Sequence, residues 1–242
     1  MNLSIYMAFV AAESEAILRY KGKAAWLGYH LSAFDSGITP RPSFLDSCHM
    51  LVLTDETPLL HHDPQKVTSE ICAEAKSLGC EKILLDFQRP PTEKSLVLAK
   101  SILRSAPCAV GITECYANDT DCSVFLPSPP LWTPLQETIA PWKGRDIWLE
   151  IFPEDGCITI TKKGGNYSPS APLENYPFCD NALCLSYSTE QYAQQVKVHL
   201  HRGITEMKAF LHLADSLGIS AAIGLYQQFG EKEILQSSDF MV

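Results

Sequence analysis

The sequence lacks several patterns that mark common protein classes, beginning with clustered positive charge. Its 28 acidic residues exceed its 19 Lys and Arg, for a formal net charge of -9, and no Lys/Arg cluster interrupts the chain. A nucleic-acid-binding protein usually carries a basic patch, so this class is not expected. The same excess of acid favours neutral or cationic ligands over phosphates.

Long apolar runs and paired cysteines are also missing. No run approaches the roughly 18 apolar residues of a transmembrane helix. The opening MNLSIYMAFVAA has no Lys or Arg before its short apolar run, so we interpret it as a strand and not as a signal peptide. The 9 cysteines are scattered without any CxxC pair, which is typical of reduced core cysteines. We expect a soluble, cytoplasmic protein with no membrane association.

Motifs of several enzyme classes are absent as well. No GxSxG occurs, and Ala11-Ala12-Glu13-Ser14 follows the first predicted strand where a dinucleotide-binding protein has a glycine-rich turn. His199 and His201 form an HxH pair, but metal-dependent barrel hydrolases carry this pair on their first strand. Such a hydrolase remains an alternative, and we predict no metal and no cofactor.

The chain has what a large core requires. It is 46% hydrophobic and 19% charged over 242 residues, a length that suits one (β/α)₈ barrel or two small domains. Continuous apolar runs without polar alternation indicate strands that are buried on both faces. Eight such runs occur, the number that closes a barrel, at residues 3–10, 49–53, 82–87, 108–112, 122–126, 146–152, 182–186 and 219–225.

Helical periodicity separates some of these runs. Val67, Ile71, Ala75 and Leu78 form the apolar stripe of a helix that Gly79 ends. Further helices are predicted over 93–104 and 205–217. The alternative is an open doubly wound sheet, which the missing glycine turn disfavours.

The spacing of the runs predicts an irregular barrel. Lys21-Gly22-Lys23 divides residues 16–34 into a hairpin, and Asp155-Gly156 is predicted to turn the run 146–152 back into 157–161. Residues 237–242 are expected to be a loose tail. We therefore predict a single α/β domain over 1–242, an irregular (β/α)₈ TIM barrel with hairpin and loop insertions.

Polar residues follow many of the predicted strands. In TIM barrels the C-terminal strand ends form the active site, and acids, amides and aromatic rings there suit the hydroxyls and ring faces of sugars. Asp86 and Gln88 are two residues apart and so point to the same side of a strand. The candidates for binding a sugar are Asp55, Gln88, Trp132, Tyr187, Tyr226 and Gln227.

One of these strand ends resembles a known motif. The segment 79–90, GCEKILLDFQRP, resembles the strand of the family 18 glycoside hydrolases, the chitinase-like barrels, that carries their catalytic acid. The resemblance implies a TIM barrel that acts on or binds carbohydrate. It places Asp86 on the aspartate beside the catalytic acid and Gln88 on the catalytic glutamate itself. Ala182 to Tyr187 resembles the later strand whose tyrosine holds the substrate, although Ser188 replaces the usual Asp.

Because Gln88 stands where the family has its catalytic glutamate, the sequence supports more than one functional hypothesis. An amide has no proton to donate, so Gln88 cannot act as the general acid. One hypothesis is a glycoside hydrolase in which Glu114 or Glu150 works with Asp86. The other is a carbohydrate-binding or scaffold barrel without turnover. A third reading makes Asp86 a structural acid paired with Arg89.

Overall fold

The computed structural model describes residues 2–31, 37–56 and 62–229. Eight parallel strands close into a barrel in the order β1-β13-β7-β6-β5-β4-β3-β2. The barrel strands are β1 (Ser4–Phe9), β2 (Lys23–His30), β3 (Met50–Thr54), β4 (Lys82–Asp86), β5 (Ala109–Thr113), β6 (Ser123–Leu126), β7 (Ile147–Ile151) and β13 (Ala221–Leu225). The predicted (β/α)₈ barrel is confirmed.

A second sheet is inserted between β7 and the last barrel strand. Its five antiparallel strands have the order β10-β11-β12-β8-β9. They are β8 (Glu154–Thr161), β9 (Gly164–Pro169), β10 (Phe178–Asp180), β11 (Leu185–Tyr192) and β12 (Gln195–Arg202).

The described helices lie between consecutive strands of the chain, except for the last one, which follows the final barrel strand. They are α1 (Ser14–Arg19), α2 (Pro64–Leu78), α3 (Glu93–Ser105), α4 (Glu114–Ala117), α5 (Leu135–Ile139), α6 (Ile204–Ser216) and α7 (Tyr226–Phe229), with single 3₁₀ turns at Ala11–Glu13 and Ala140–Trp142. Among the helices that the structure describes, none has the length and hydropathy needed to cross a membrane.

Local sequence explains where the longest helix begins and ends. The Asp63 carboxylate accepts a hydrogen bond from the Gln65 N–H at 2.9 Å, Pro64 occupies the first turn, and Gly79 ends α2 with φ 70°. The predicted stripe of Val67, Ile71, Ala75 and Leu78 is buried against the barrel. The helices predicted over 93–104 and 205–217 are likewise confirmed as α3 and α6.

The prediction of a hairpin at 16–34 is wrong. Ser14–Arg19 is a helix, and Lys23–His30 is a barrel strand parallel to β1. The consecutive burial of Ala24, Ala25 and Trp26 shows the two-sided covering of a barrel strand. The Lys21-Gly22-Lys23 turn therefore joins a helix to a strand. Residues 32–34 of this prediction lie outside the described residues, as does the predicted loose tail at 237–242.

Two further predicted strands pair with other strands than expected. The run 182–186 is not a barrel strand, because its last two residues begin β11 of the antiparallel sheet. Gly156 does not turn the chain back onto β7 but lies within β8, which pairs with β9 and β12. An added Cβ at Gly156 would lie 2.2 Å from the Tyr167 ring, so a neighbouring aromatic ring accounts for this glycine.

Side chains from the strands fill the barrel interior. The inner cluster includes Tyr6, Met50, Val52, Leu84 and Trp148, all buried. The lower part of the barrel is thus a packed core, and the space for a ligand lies above it at the C-terminal strand ends.

Candidate functional site

A cleft of about 440 Å³ opens at the C-terminal ends of the barrel strands. We call it the strand-end cleft. Its lining residues are Ala8, Leu27, Val52, Leu84, Asp86, Phe87, Gln88, Thr113, Glu114, Cys115, Phe125, Pro127, Glu150, Ile223 and Leu225. It therefore brings together Asp86, Gln88, Glu114 and Glu150, which come from three different strand ends.

Asp86 and Gln88 form a hydrogen-bonded pair within the cleft. Asp86 is the last residue of β4, and the Gln88 side-chain Nε2 donates to its Oδ1. Burial raises the pKa of the Asp86 carboxyl above its ordinary value; the bond from Gln88 opposes this shift, and the negative charge of Asp55 adds to it. The prediction that both side chains point to the same side is consistent with this contact.

Asp55 holds the chain at Gln88 in place. Its carboxylate is buried, with 4% of the residue exposed, and accepts the backbone N–H of Gln88 at 2.7 Å and of Arg89 at 3.1 Å. Both carboxylate oxygens are thereby engaged by backbone. These bonds position the loop after β4, and the sugar contact predicted for Asp55 stays a prediction.

Arg89 belongs to the same clamp. Its Nε donates to the Asp55 carbonyl at 2.8 Å and its Nη2 to the Glu56 carbonyl at 2.6 Å. These bonds tie the loop after β4 to the loop after β3. The alternative in which Arg89 pairs with Asp86 is not what the structure shows, since the guanidinium points to these carbonyls.

A smaller side pocket of about 230 Å³ adjoins the cleft. It is lined by Thr54, Asp55, Glu56, Asp86, Gln88 and Arg89. Asp86 and Gln88 line both spaces, so a ligand in the cleft and a group in the side pocket would contact the same two side chains.

Glu150 reaches the cleft from β7 and is half-buried. Burial raises the pKa of its carboxyl; a hydrogen bond from the Ser128 backbone opposes the shift, and the charge of Asp86 adds to it. The charge of Asp86 therefore acts on the carboxyl group of Glu150. This is the pattern expected of acids that share one site.

Glu114 lines the cleft from the first turn of α4 and is exposed. Hydrogen bonds join the residues next to Glu114 to the end of β4. The Tyr116 hydroxyl lies within hydrogen-bond distance of the Arg89 carbonyl, at 3.2 Å, and of Ser95 Oγ, at 3.0 Å, and the Thr113 hydroxyl donates to the Phe87 carbonyl at 2.6 Å. The ends of β4 and β5 are thus fastened together.

The four other predicted sugar contacts lie outside the strand-end cleft. Tyr187 is on β11, with its ring 5.3 Å from that of Phe178. Trp132 is 45% exposed and packs against Tyr167 at 4.6 Å. Both rings therefore belong to the surroundings of the inserted sheet.

The remaining two of these predictions fall on α7. Tyr226 stacks on Phe9 with ring centroids 4.7 Å apart, and Gln227 is exposed on the same helix. Tyr226 packs against the first barrel strand, so its ring supports the fold beside the cleft.

The HxH pair lies on β12 of the inserted sheet. The His199 Nε2 is 3.7 Å from Glu190 Oε1, and the His201 Nδ1 is 2.7 Å from Asp155 Oδ1. Within the described ranges, no group of His, Cys, Asp and Glu is arranged to hold a metal ion.

Sequence reasoning missed several apolar residues that line the cleft. Leu27 lies on β2, within the segment for which the sequence predicts a hairpin, so its pattern does not indicate a cleft position. Phe125 and Leu225 lie near the ends of barrel strands, and this position at a strand end is the signal that the sequence offers.

Comparison with known proteins identifies structures of the same architecture. No protein-family model matches the chain, and no curated protein matches its sequence. A class V chitinase from Nicotiana tobaccum, solved as a variant with one Glu replaced by Gln in complex with NAG4, superposes with a TM-score of 0.63 at 10% identity, over 99% of both chains.

Two other similar structures have names that describe binding. The chitinase-like agglutinin of Robinia pseudoacacia gives a TM-score of 0.60 at 10% identity, covering 94% of this chain and 96% of that one. Human YKL-39, described as a pseudo-chitinase with retained chitooligosaccharide binding, gives 0.56 at 11% identity, covering 91% of each chain. The chain therefore has the barrel fold shared by the family 18 chitinases and chitinase-like proteins.

Proposed function

We propose that the chain binds a chitin-type oligosaccharide in the strand-end cleft without hydrolysing it. The observation that carries this proposal is Gln88, hydrogen-bonded to Asp86 inside the cleft. An amide cannot protonate a glycosidic oxygen, a step that contributes roughly 10²–10⁴-fold to catalysis.

The cleft suits a sugar chemically. Gln88 uses one N–H for Asp86, which leaves a second N–H and a carbonyl oxygen for a ligand. Phe125 and Leu225 supply apolar surface for the faces of the sugar ring. The similar structures that bind chitooligosaccharides support the same class of ligand.

Binding should be measured by calorimetry with N-acetylated chitotetraose, its deacetylated form and cellotetraose. We expect the wild-type protein to bind a chitin-type tetramer and to release no shorter products over extended incubation. Asp86→Ala should weaken this binding by about tenfold or more, because the carboxylate and its bond to Gln88 are both lost. If none of the three sugars binds, the proposal is wrong.

Gln88→Glu tests the role of the amide. It restores an ionisable group at this position and should leave binding within a few-fold of the wild type. Gln227→Glu makes the same chemical change on the exposed surface of α7 and serves as the matched control.

Glu150 supports a second candidate function, hydrolysis with a displaced general acid. Its pKa is raised by burial and by Asp86, as a general acid requires. In this case the wild-type protein would hydrolyse the tetramer, and Glu150→Gln would slow the reaction roughly 10²–10⁴-fold while Gln88→Glu would not. The anomeric form of the first product, read by NMR, would then distinguish retention from inversion.

A further inference from the structure

The strand-end cleft carries unbalanced negative charge. Three carboxyl groups line it, those of Asp86, Glu114 and Glu150. Among the described residues lining the cleft there is no Lys, Arg or His. An uncharged sugar would leave these carboxylates without a counter-charge when it displaces water from them.

The neighbouring side pocket does not reverse this balance. Arg89 is the cation among its described lining residues, and its guanidinium donates to the Asp55 and Glu56 carbonyls. Three acidic residues also line this pocket, Asp55, Glu56 and Asp86. The two connected spaces together are therefore acidic.

Burial shifts the pKa of two of the carboxyl groups in the cleft. The pKa of Asp86 and that of Glu150 are both raised, chiefly by burial, and the charge of Asp86 contributes to the shift at Glu150. A cation placed between them would stabilise both ionised forms, since charge-assisted hydrogen bonds are about twice as strong as neutral ones.

We propose that the cleft selects an amino sugar with a free ammonium group, so that the preferred oligosaccharide is de-N-acetylated at the unit bound beside Asp86 and Glu150. This inference rests on the proposed carbohydrate function and specifies its substrate class. The ammonium group donates three hydrogen bonds and supplies the charge that the cleft lacks. The apolar wall formed by Phe125 and Leu225 contacts the sugar ring.

The test compares two ligands on the full chain by calorimetry, the glucosamine tetramer and the N-acetylglucosamine tetramer, in a mildly acidic buffer that keeps the amine protonated. We expect the glucosamine tetramer to bind about tenfold tighter or more at low salt. Raising the salt to about 0.5 M should weaken that ligand's binding and leave the N-acetylated ligand nearly unchanged, because only the first depends on charge.

Two variants locate the effect. Glu150→Gln should reduce the ratio of affinities, glucosamine tetramer over acetylated tetramer, several-fold. Glu137→Gln removes the same charge from an exposed position on α5 and should leave the preference intact. Circular dichroism of each variant confirms folding, and Asp86→Asn provides a second variant with the same expected loss of preference.

The outcomes distinguish failure of the ammonium proposal from failure of the proposed carbohydrate function. Equal affinity for the two tetramers, or tighter binding of the acetylated one, overturns the ammonium proposal and leaves the proposed function standing. Tetralysine bound as tightly as the glucosamine tetramer also overturns it, because the cleft would then recognise charge without sugar. Binding of neither tetramer, nor of cellotetraose, overturns the proposed function itself.

Discussion

At the scale of single residues, Asp55 and Gln88 show how the cleft is assembled. Gln88 lines the strand-end cleft. The carboxylate of Asp55 accepts the backbone N–H groups of Gln88 and Arg89. The sequence assigned both to sugar contact because both follow buried strands. Only the structure shows that the two side chains have different contacts. The residues next to Asp55 in sequence do not indicate that its carboxylate binds a loop 33 residues away.

The first prediction concerns Asp55. Replacing it with Ala removes the buried acceptor of two backbone N–H groups, and we expect a loss of about 1–3 kcal/mol in the free energy of unfolding. Urea denaturation measures this loss. Asp119→Ala, at an exposed position, should change stability by less than about 0.5 kcal/mol. An unchanged midpoint for Asp55→Ala would show that the clamp is dispensable.

The second prediction concerns pH. Because the pKa of Asp86 and that of Glu150 are raised in the folded state, the folded protein binds more protons than the unfolded chain above the ordinary carboxyl range of about pH 4. The favourable contribution of these groups is therefore present below that range and is lost as the pH rises through the raised values.

Glu150→Gln should accordingly raise the melting temperature near neutral pH and flatten its decline above about pH 4. The amide oxygen can still accept the backbone bond from Ser128, so packing is preserved. Melting curves across this pH range, with Glu137→Gln as control, provide the measurement. Parallel profiles for Glu150→Gln and the wild type would contradict the assignment.

At the scale of elements, β5 and β7 meet inside the barrel through a glycine and a tryptophan. A Cβ added at Gly111 would lie 2.3 Å from Trp148 Cε3. The indole is buried, donates to Asp146 Oδ2 at 3.0 Å, and lies under the Lys82 ammonium at 4.5 Å from its centroid. The ring is fixed on two sides and has little freedom to move away.

We therefore predict that Gly111→Ala lowers the free energy of unfolding by about 1–3 kcal/mol through overpacking. Gly165→Ala, in β9, is the matched control, because a Cβ there meets only Ile158 Cγ2 at an ordinary 3.8 Å. Urea denaturation of both variants checks the difference. Equal midpoints would mean that the indole relocates at little cost.

The elements also show where local pattern succeeds and where it fails. The predictions of α2, β3, β4 and β5 are confirmed. Apolar residues at helical spacing indicate a helix buried on one face, and a continuous apolar run indicates a strand buried on both faces. The assignment of Lys23–His30 to a hairpin failed because Lys-Gly-Lys fits a helix-to-strand turn as well as a hairpin turn.

At the scale of the whole molecule, a small apolar cluster joins the barrel to the inserted sheet. Leu131, in the loop after β6, is fully buried with Leu185 of β11 and Leu200 of β12. The same loop begins at Pro127 on the cleft wall. The packing of the sheet and the shape of the cleft are therefore connected through one short segment.

The last prediction tests this connection and the single domain expected over 1–242. Leu131→Ala should cost about 2–5 kcal/mol, because it leaves a cavity between barrel and sheet. Hydrogen exchange should accelerate in β11 and β12 if the sheet loosens by itself, and across β4 and β5 as well if the chain unfolds as one unit. Leu18→Ala, at a 64% exposed position, should have little effect on either measurement.

The sequence by itself determined the barrel class and most of its strands, because continuous apolar runs report burial on both faces wherever they pair. It also placed the amide Gln88 two residues after Asp86, at the position where the resemblance to the family 18 glycoside hydrolases implies a catalytic acid. The tertiary structure decided that Lys23–His30 completes the barrel, that β11 belongs to the inserted sheet, and that Glu114 and Glu150 meet Asp86 in one cleft. Which strands pair, and which side chains meet in the cleft, depends on how the whole sheet closes. A short segment of sequence does not indicate this closure.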